Sequence, residues 1–232
     1  MVVTGDRPSP AGTGLLARTR MLLLEAAKRL YVRQETSRID KVEGLARFAH
    51  TRAAFVAQKK LYGYLKARMG TRYPIMFKDE VFMQSVDLAK WHVFAACLSD
   101  IAIHAAARVM PEGRLTESES EALARHCHEA GLAANAEGIP DDTLVSQWKE
   151  AFAHRLAGTN WQRLAAGGDA MTESPKALYV WAPIEDSLKR LDREIVENSI
   201  RFAWAEIIRD FRKRAVPAEI AADFRQREFA KL

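Results

Sequence analysis

The chain has 232 residues, 48% of them hydrophobic and 28% charged, with a formal net charge of +5. That is globular composition with room for a sizeable core, and apolar residues recurring at helical spacing exclude disorder over most of the length. The charge is uneven: Met1 to Arg72 carries 15 Lys and Arg against 5 Asp and Glu, a balance of +10, while the remainder carries 20 against 25, a balance of −5.

In chain order, residues 1–13 read as a disordered tail punctuated by Gly5, Pro8, Pro10 and Gly12, and residues 14–232 as one helical domain. The opening shows no signal-peptide pattern, since Asp6 falls early and the apolar run Met21 to Leu24 is far shorter than a signal core. A first helix is predicted over Leu15 to Arg33. At about 100° per residue it gathers Leu16, Leu23, Ala27, Leu30 and Tyr31 on one face, with Arg18, Glu25, Lys28 and Arg29 opposite. Its basic, amphipathic character allows peripheral membrane contact through residues 15–33 as a minor reading.

A second helix is predicted from Ile39 to Met69, with Ser37 as N-cap and Gly70 as the residue that ends it. Ile39, Val42, Leu45, Ala49, Ala53, Val56 and Leu61 form its apolar stripe. Lys78 or Asp79 opens a third helix that Pro111 is expected to stop at Met110. Its segment Val93 to Val109 is apolar on nearly all sides, which predicts a central helix packed by others. It is short for a bilayer span and carries Asp100, His104 and Arg108, so integral insertion is not expected.

Thr116-x-x-Glu119 is a capping box for a fourth helix. Pro140 with Asp141 and Asp142 opens a fifth that ends at Gly158. Residues 158–174 read as an irregular stretch with the character of a mobile loop. Ser174-Pro175 restarts a short helix through Trp181, in which Tyr179 and Trp181 read as core residues before interface anchors. Pro183 begins a long helix to Arg214 with Ile184, Leu188, Leu191, Ile195 and Phe202 as its stripe, and Pro217 precedes a short terminal helix. No alternating strand pattern and no repeat is evident. The fold class is therefore all-α, a single-domain irregular bundle of seven or eight helices, three of them long.

The chemistry-bearing patterns are sparse. No phosphate loop, G-x-G-x-x-G, G-x-S-x-G, H-E-x-x-H or Glu-x-x-His occurs, so no cofactor or metal is assigned. His126-Cys127-His128 does not make a metal site, because its two histidines diverge by about 200° around a helix. Cys97 and Cys127 form no C-x-x-C pair and read as free thiols in a cytoplasmic setting.

Two groups of residues are candidates. His92, Asp100 and His104 lie on the most apolar helix. Asp100 and His104 are four apart, where a carboxylate orients an imidazole, either as half of an acid–base pair lining a ligand pocket or as an ordinary buried histidine. The second group is the basic third, residues 14–72, represented by Arg18, Arg29, Arg33, Arg47, Arg52, Lys59, Lys60, Lys66 and Arg68. It suits an acidic protein partner, the phosphates of RNA or DNA, or the chain's own acidic segment 112–150, which carries 9 acids against 3 bases. The leading reading is a non-enzymatic accessory or partner-binding protein that docks through this basic third. Nucleic-acid binding through the same surface, and a ligand-binding or enzymatic pocket at Asp100 and His104, are the alternatives. Oligomeric state is open.

Overall fold

The computed structural model describes Thr36 to Phe229. The expected tail, the expected first helix, and with them Arg18, Arg29 and Arg33, lie outside these residues.

Two long helices form the spine. Helix α1 (Val42–Met69) ends at Gly70, whose φ of +52° is left-handed backbone that favours glycine. A single-turn α2 (Tyr73–Met76) follows. Helix α3 (Glu80–Gly113) starts at Asp79, whose side chain accepts from the Phe82 amide at 2.8 Å. All seven residues of the stripe predicted for the second helix, Ile39 to Leu61, are buried.

α3 is the hub. It packs against α1, α4 (Glu117–Ala133), α6 (Trp161–Ala165), α7 (Glu173–Trp181) and α10 (Pro217–Phe229). Phe94, Leu98, Ile101, Ile103 and Val109 bury every side of its second half. It is the one helix among the described residues long and apolar enough to cross a membrane, and 89% of its most apolar window is buried inside the protein. α1, α3 and α4 meet at Gly131, where an added methyl group would fall 2.8 Å from the Leu98 methyls and 3.1 Å from His50 Cβ. Helices α5 (Asp142–Ala157), α8 (Asp186–Lys189) and α9 (Arg193–Arg214) complete the bundle. Seven of these helices have nine residues or more, and α1, α3 and α9 are the long ones. The described residues contain no strand, only an isolated parallel bridge between Ile39 and Ala215. The fold is all-α.

The caps largely fall where the sequence places them. Thr116 and Glu119 form the reciprocal box, and Asp141 caps α5. Glu119 also takes Arg225 of α10 at 2.6 Å, and that guanidinium with the Thr116 amide lowers its pKa to about 2.

Four details differ from the sequence reading. Ser37 is not the cap of α1: its carbonyl accepts from Arg214 Nε at 2.8 Å, and the first turn is capped instead by Asp223, which accepts from the Val42 amide at 2.9 Å. Pro111 does not stop α3, which continues to Gly113. A proline in the last turn removes one amide bond without preventing another half-turn. Residues 158–174 are packed, with α6 inside them and Trp161, Ala170 and Met171 buried.

Last, the long final helix is broken. α8 is a single turn and α9 begins at Arg193. Tertiary bonds hold the break: Arg68 donates to the Leu188 carbonyl and to Asp192, and Tyr64 donates to Asp192 at 2.8 Å.

Candidate functional site

The predicted pocket residues lie on one helix but are not brought together. His92 and His104 are twelve positions apart, on the order of 18 Å along α3. His92 is half-buried, stacked on Trp181 with ring centroids 3.4 Å apart and planes 1° apart. Trp148 of α5 donates its indole N–H to His92 Nδ1 at 3.4 Å. Burial lowers the imidazole pKa.

Asp100 does not orient His104. It is fully buried and turns to residues far along the chain. Its carboxylate takes Arg155 of α5 at 2.8 Å and the amides of Glu173 and Ser174, the first two residues of α7, at 3.1 and 2.8 Å. Burial raises its pKa, while Arg155 and the α7 amides pull it back. Arg155 further donates to Ser99 Oγ and the Ala170 carbonyl, both at 2.7 Å, and Ser174 Oγ accepts from the Trp204 indole at 2.9 Å. The cluster thus ties α3, α5, α7, α9 and the 170–174 segment into one buried network. Every named polar group in it has a partner, which is what a buried charge requires.

His104 sits edge-on to Phe211 with centroids 6.3 Å apart, and its Nε2 has no hydrogen-bond partner. Burial first, then Arg108 and Arg212, lower its pKa to about 4, with Asp169 opposing. His128 repeats the pattern on α4. It stacks on Phe152 at 3.9 Å, its Nδ1 is unpartnered, and burial with Lys149, Arg155 and Arg125 lowers its pKa to about 3. Both imidazoles are neutral near pH 7. His128 is buried while its neighbour His126 is half-exposed, and among the described residues no three His, Cys, Asp or Glu side chains gather in a metal-holding group. Cys97 and Cys127 are free, buried thiols whose pKa values burial raises, that of Cys127 to about 12.

The basic residues of α1 divide. Arg52 is buried, paired with Asp210 of α9 at 3.0 Å and set over the Phe48 ring. Arg68 is held by Asp192. The sequence pattern counted both as surface: Arg68 is exposed, whereas Arg52 is buried against an acid 158 residues further along the chain. Arg47, Lys59 and Lys66 are exposed and Lys60 is half-buried. Lys59 lies over Phe55 and Lys66 over Tyr73, and burial together with Lys59 lowers the Lys60 pKa. In the acidic segment, Glu119 pairs with Arg225 and Glu121 with Arg125 rather than with α1.

The feature that the sequence reading placed on the wrong side is the stripe of the last long helix. α9 faces the core with Val196, Ile200, Trp204, Ile207 and Phe211. Of the predicted stripe only Ile184 packs against the core; Leu188, Leu191, Ile195 and Phe202 point outward, 59%, 83%, 72% and 76% exposed. Val180 and Trp181 at the end of α7 are also exposed, so Trp181 is a surface aromatic, not core. Single apolar residues scattered over a surface are ordinary, whereas these four recur at steps of 3, 4 and 7 residues. Comparison of the chain with protein-family models, with characterised proteins and with solved structures finds no match.

Proposed function

We propose that the protein is a non-enzymatic partner-binding protein whose docking surface is the outward face of α8 and α9. The observation that carries this reading is the run Leu188, Leu191, Ile195 and Phe202, four large apolar side chains more than half exposed, one on α8, one in the break and two on α9. Covering each such side chain contributes about 1.5–3 kcal/mol, so a partner with a complementary apolar ridge gains several kcal/mol here. The scaffold beneath is rigid: Trp204 and Phe211 anchor the opposite side of α9, and Arg68 with Tyr64 pins the start. The buried polar groups support this class over an enzyme, since Asp100 is fully engaged in tying helices together and His104 is packed against Phe211.

The test uses an introduced thiol at the face. The two native cysteines are fully buried, so F202C presents the reactive thiol to a maleimide. In an extract of the source cell that thiol is expected to react several-fold more slowly than in the dilute purified chain. Equal rates would overturn the reading.

A second reading is favoured by α1, whose acid is Glu43 while Arg47, Lys59, Lys60 and Lys66 follow it. These cations are spread around α1 rather than gathered on one face, and together they suit an acidic protein or a nucleic-acid backbone. Binding of RNA or heparin that falls steeply with salt would support it, and no retention at low salt would remove it.

A further inference from the structure

The spacing of the exposed row says what kind of partner it takes. Leu188, Leu191, Ile195, Asn198, Phe202 and Ala205 follow one another at intervals of 3, 4, 3, 4 and 3. Leu188 lies on α8 and Leu191 in the break, and Ile195, Asn198, Phe202 and Ala205 carry the spacing along α9 itself; it is the spacing of a narrow two-helix seam, in which side chains of one helix enter the holes of another with the same interval. A peptide strand or a flat surface does not match it. The partner is a helix bearing apolar residues at the same interval.

The charges beside the seam narrow the choice. Glu194 and Arg201 lie on the same flank of α9, each directly before a seam residue, and both are exposed; within the chain Arg201 donates to Glu197 and to Asn198 Oδ1, both at 3.0 Å, so a contact with a second copy turns this guanidinium toward a further acid. When two such helices pair antiparallel about a two-fold axis between Ile195 and Asn198, the flank of one meets the same flank of the other. Glu194 then meets Arg201 of the partner subunit, and the symmetry makes the contact twice. The seam layers in that arrangement set Phe202 against Leu191 of the partner subunit and Ile195 against Asn198 of the partner subunit. A parallel pairing would instead set Arg209 against Arg209 of the partner subunit. The face is thus self-complementary in shape and charge, which is the requirement for an isologous contact.

We infer that a second copy of this chain occupies the face, with α9 antiparallel to α9 across a two-fold axis. This rests on the reading of α8–α9 as a docking surface. The dimer shields Leu191, Ile195 and Phe202 from water.

Sedimentation equilibrium of the purified full chain measures this directly. Twice the chain mass at micromolar concentration is expected, and I195D/F202D is expected to sediment as a single chain with unchanged helical circular dichroism. Charge reversal sharpens the result. E194R alone and R201E alone each place like charges together, and each is expected to weaken the dimer at least about tenfold. Mixed in equal amounts, the two variants restore opposite charges at both contacts and are expected to form a one-to-one pair tighter than either alone. A single-chain mass up to about 100 μM, or a mixture no tighter than its parts, overturns the inference. If the F202C thiol is still protected in the extract, the docking reading survives and only the second copy is lost. If it is unprotected, both fall.

Discussion

Asp100 and His104 stand one helical turn apart on α3, both buried, and they meet burial in opposite ways. Asp100 is met in the interior by Arg155 and two α7 amides, which oppose the rise in pKa that burial causes. His104 faces Phe211 with an unpartnered Nε2 and has Arg108 and Arg212 nearby, so it stays neutral. The first is a junction that organises four helices. The second is an apolar filler with a latent polar atom. A carboxylate and an imidazole four residues apart therefore do not make a pair when tertiary partners outbid the local one.

The contrast breaks most sharply at Asp100. Asp100→Ala leaves Arg155 in the interior without its counter-charge and strips the first turn of α7, and a loss of about 3–5 kcal/mol is expected in urea unfolding at pH 7. D100A/R155L is expected to cost less than the two single changes added together, because it removes both buried charges. Additive losses would mean the network is not a unit.

Next in size is the acid response of the histidines. The folded pKa values, about 4 for His104 and about 3 for His128, lie below the ordinary 6.5. The unfolded chain therefore binds these protons more readily, and stability falls as pH drops below 6.5, levelling off near those lower values. The loss is on the order of 3 kcal/mol for His104 and somewhat more for His128. His104→Phe and His128→Phe are expected to remove their shares of this acid limb while changing stability at pH 7 far less. An acid limb identical to the parent in the double variant would contradict the assignment.

The smallest effect is expected at the outer face. Phe202→Asp should change the stability of the single chain by no more than about 0.5 kcal/mol, whereas Trp204→Ala, two residues on and buried, should cost about 3–5 kcal/mol. Thermal unfolding of both at a concentration too low for association separates the faces of α9.

Much of the fold is readable from the amino acids because its determinants are local. Asp79, the Thr116–Glu119 box, Asp141 and the glycines at 70 and 158 act on their own helix ends, and α1 has one apolar stripe to bury. The α9 orientation is not readable in this way. Two apolar rows run along the same helix at the same period, and nothing in periodicity says that Trp204 and Phe211 win the interior over Ile195 and Phe202. The break before Arg193 depends on Arg68 and Tyr64, more than a hundred residues earlier. Asp210, 158 residues on, hides the buried state of Arg52, and the partners of Asp100, Arg155 and the Glu173 and Ser174 amides, also lie far outside its own helix. Local chemistry sets the helices, and long-range pairing sets the surfaces.

The first turn of α1 has a consequence for how the molecule is made. Its Val42 amide waits for Asp223, the Ile39 carbonyl accepts from the Val216 amide, and Arg38 reaches Glu219 at 3.0 Å. During synthesis these early residues emerge long before their closing partners, so the spine helix is left with a raw leading end until α10 is born. Closure is then a late, long-range event that joins the leading end of α1 to α10, and cooperative assembly of the described bundle depends on a helix made long after the spine begins.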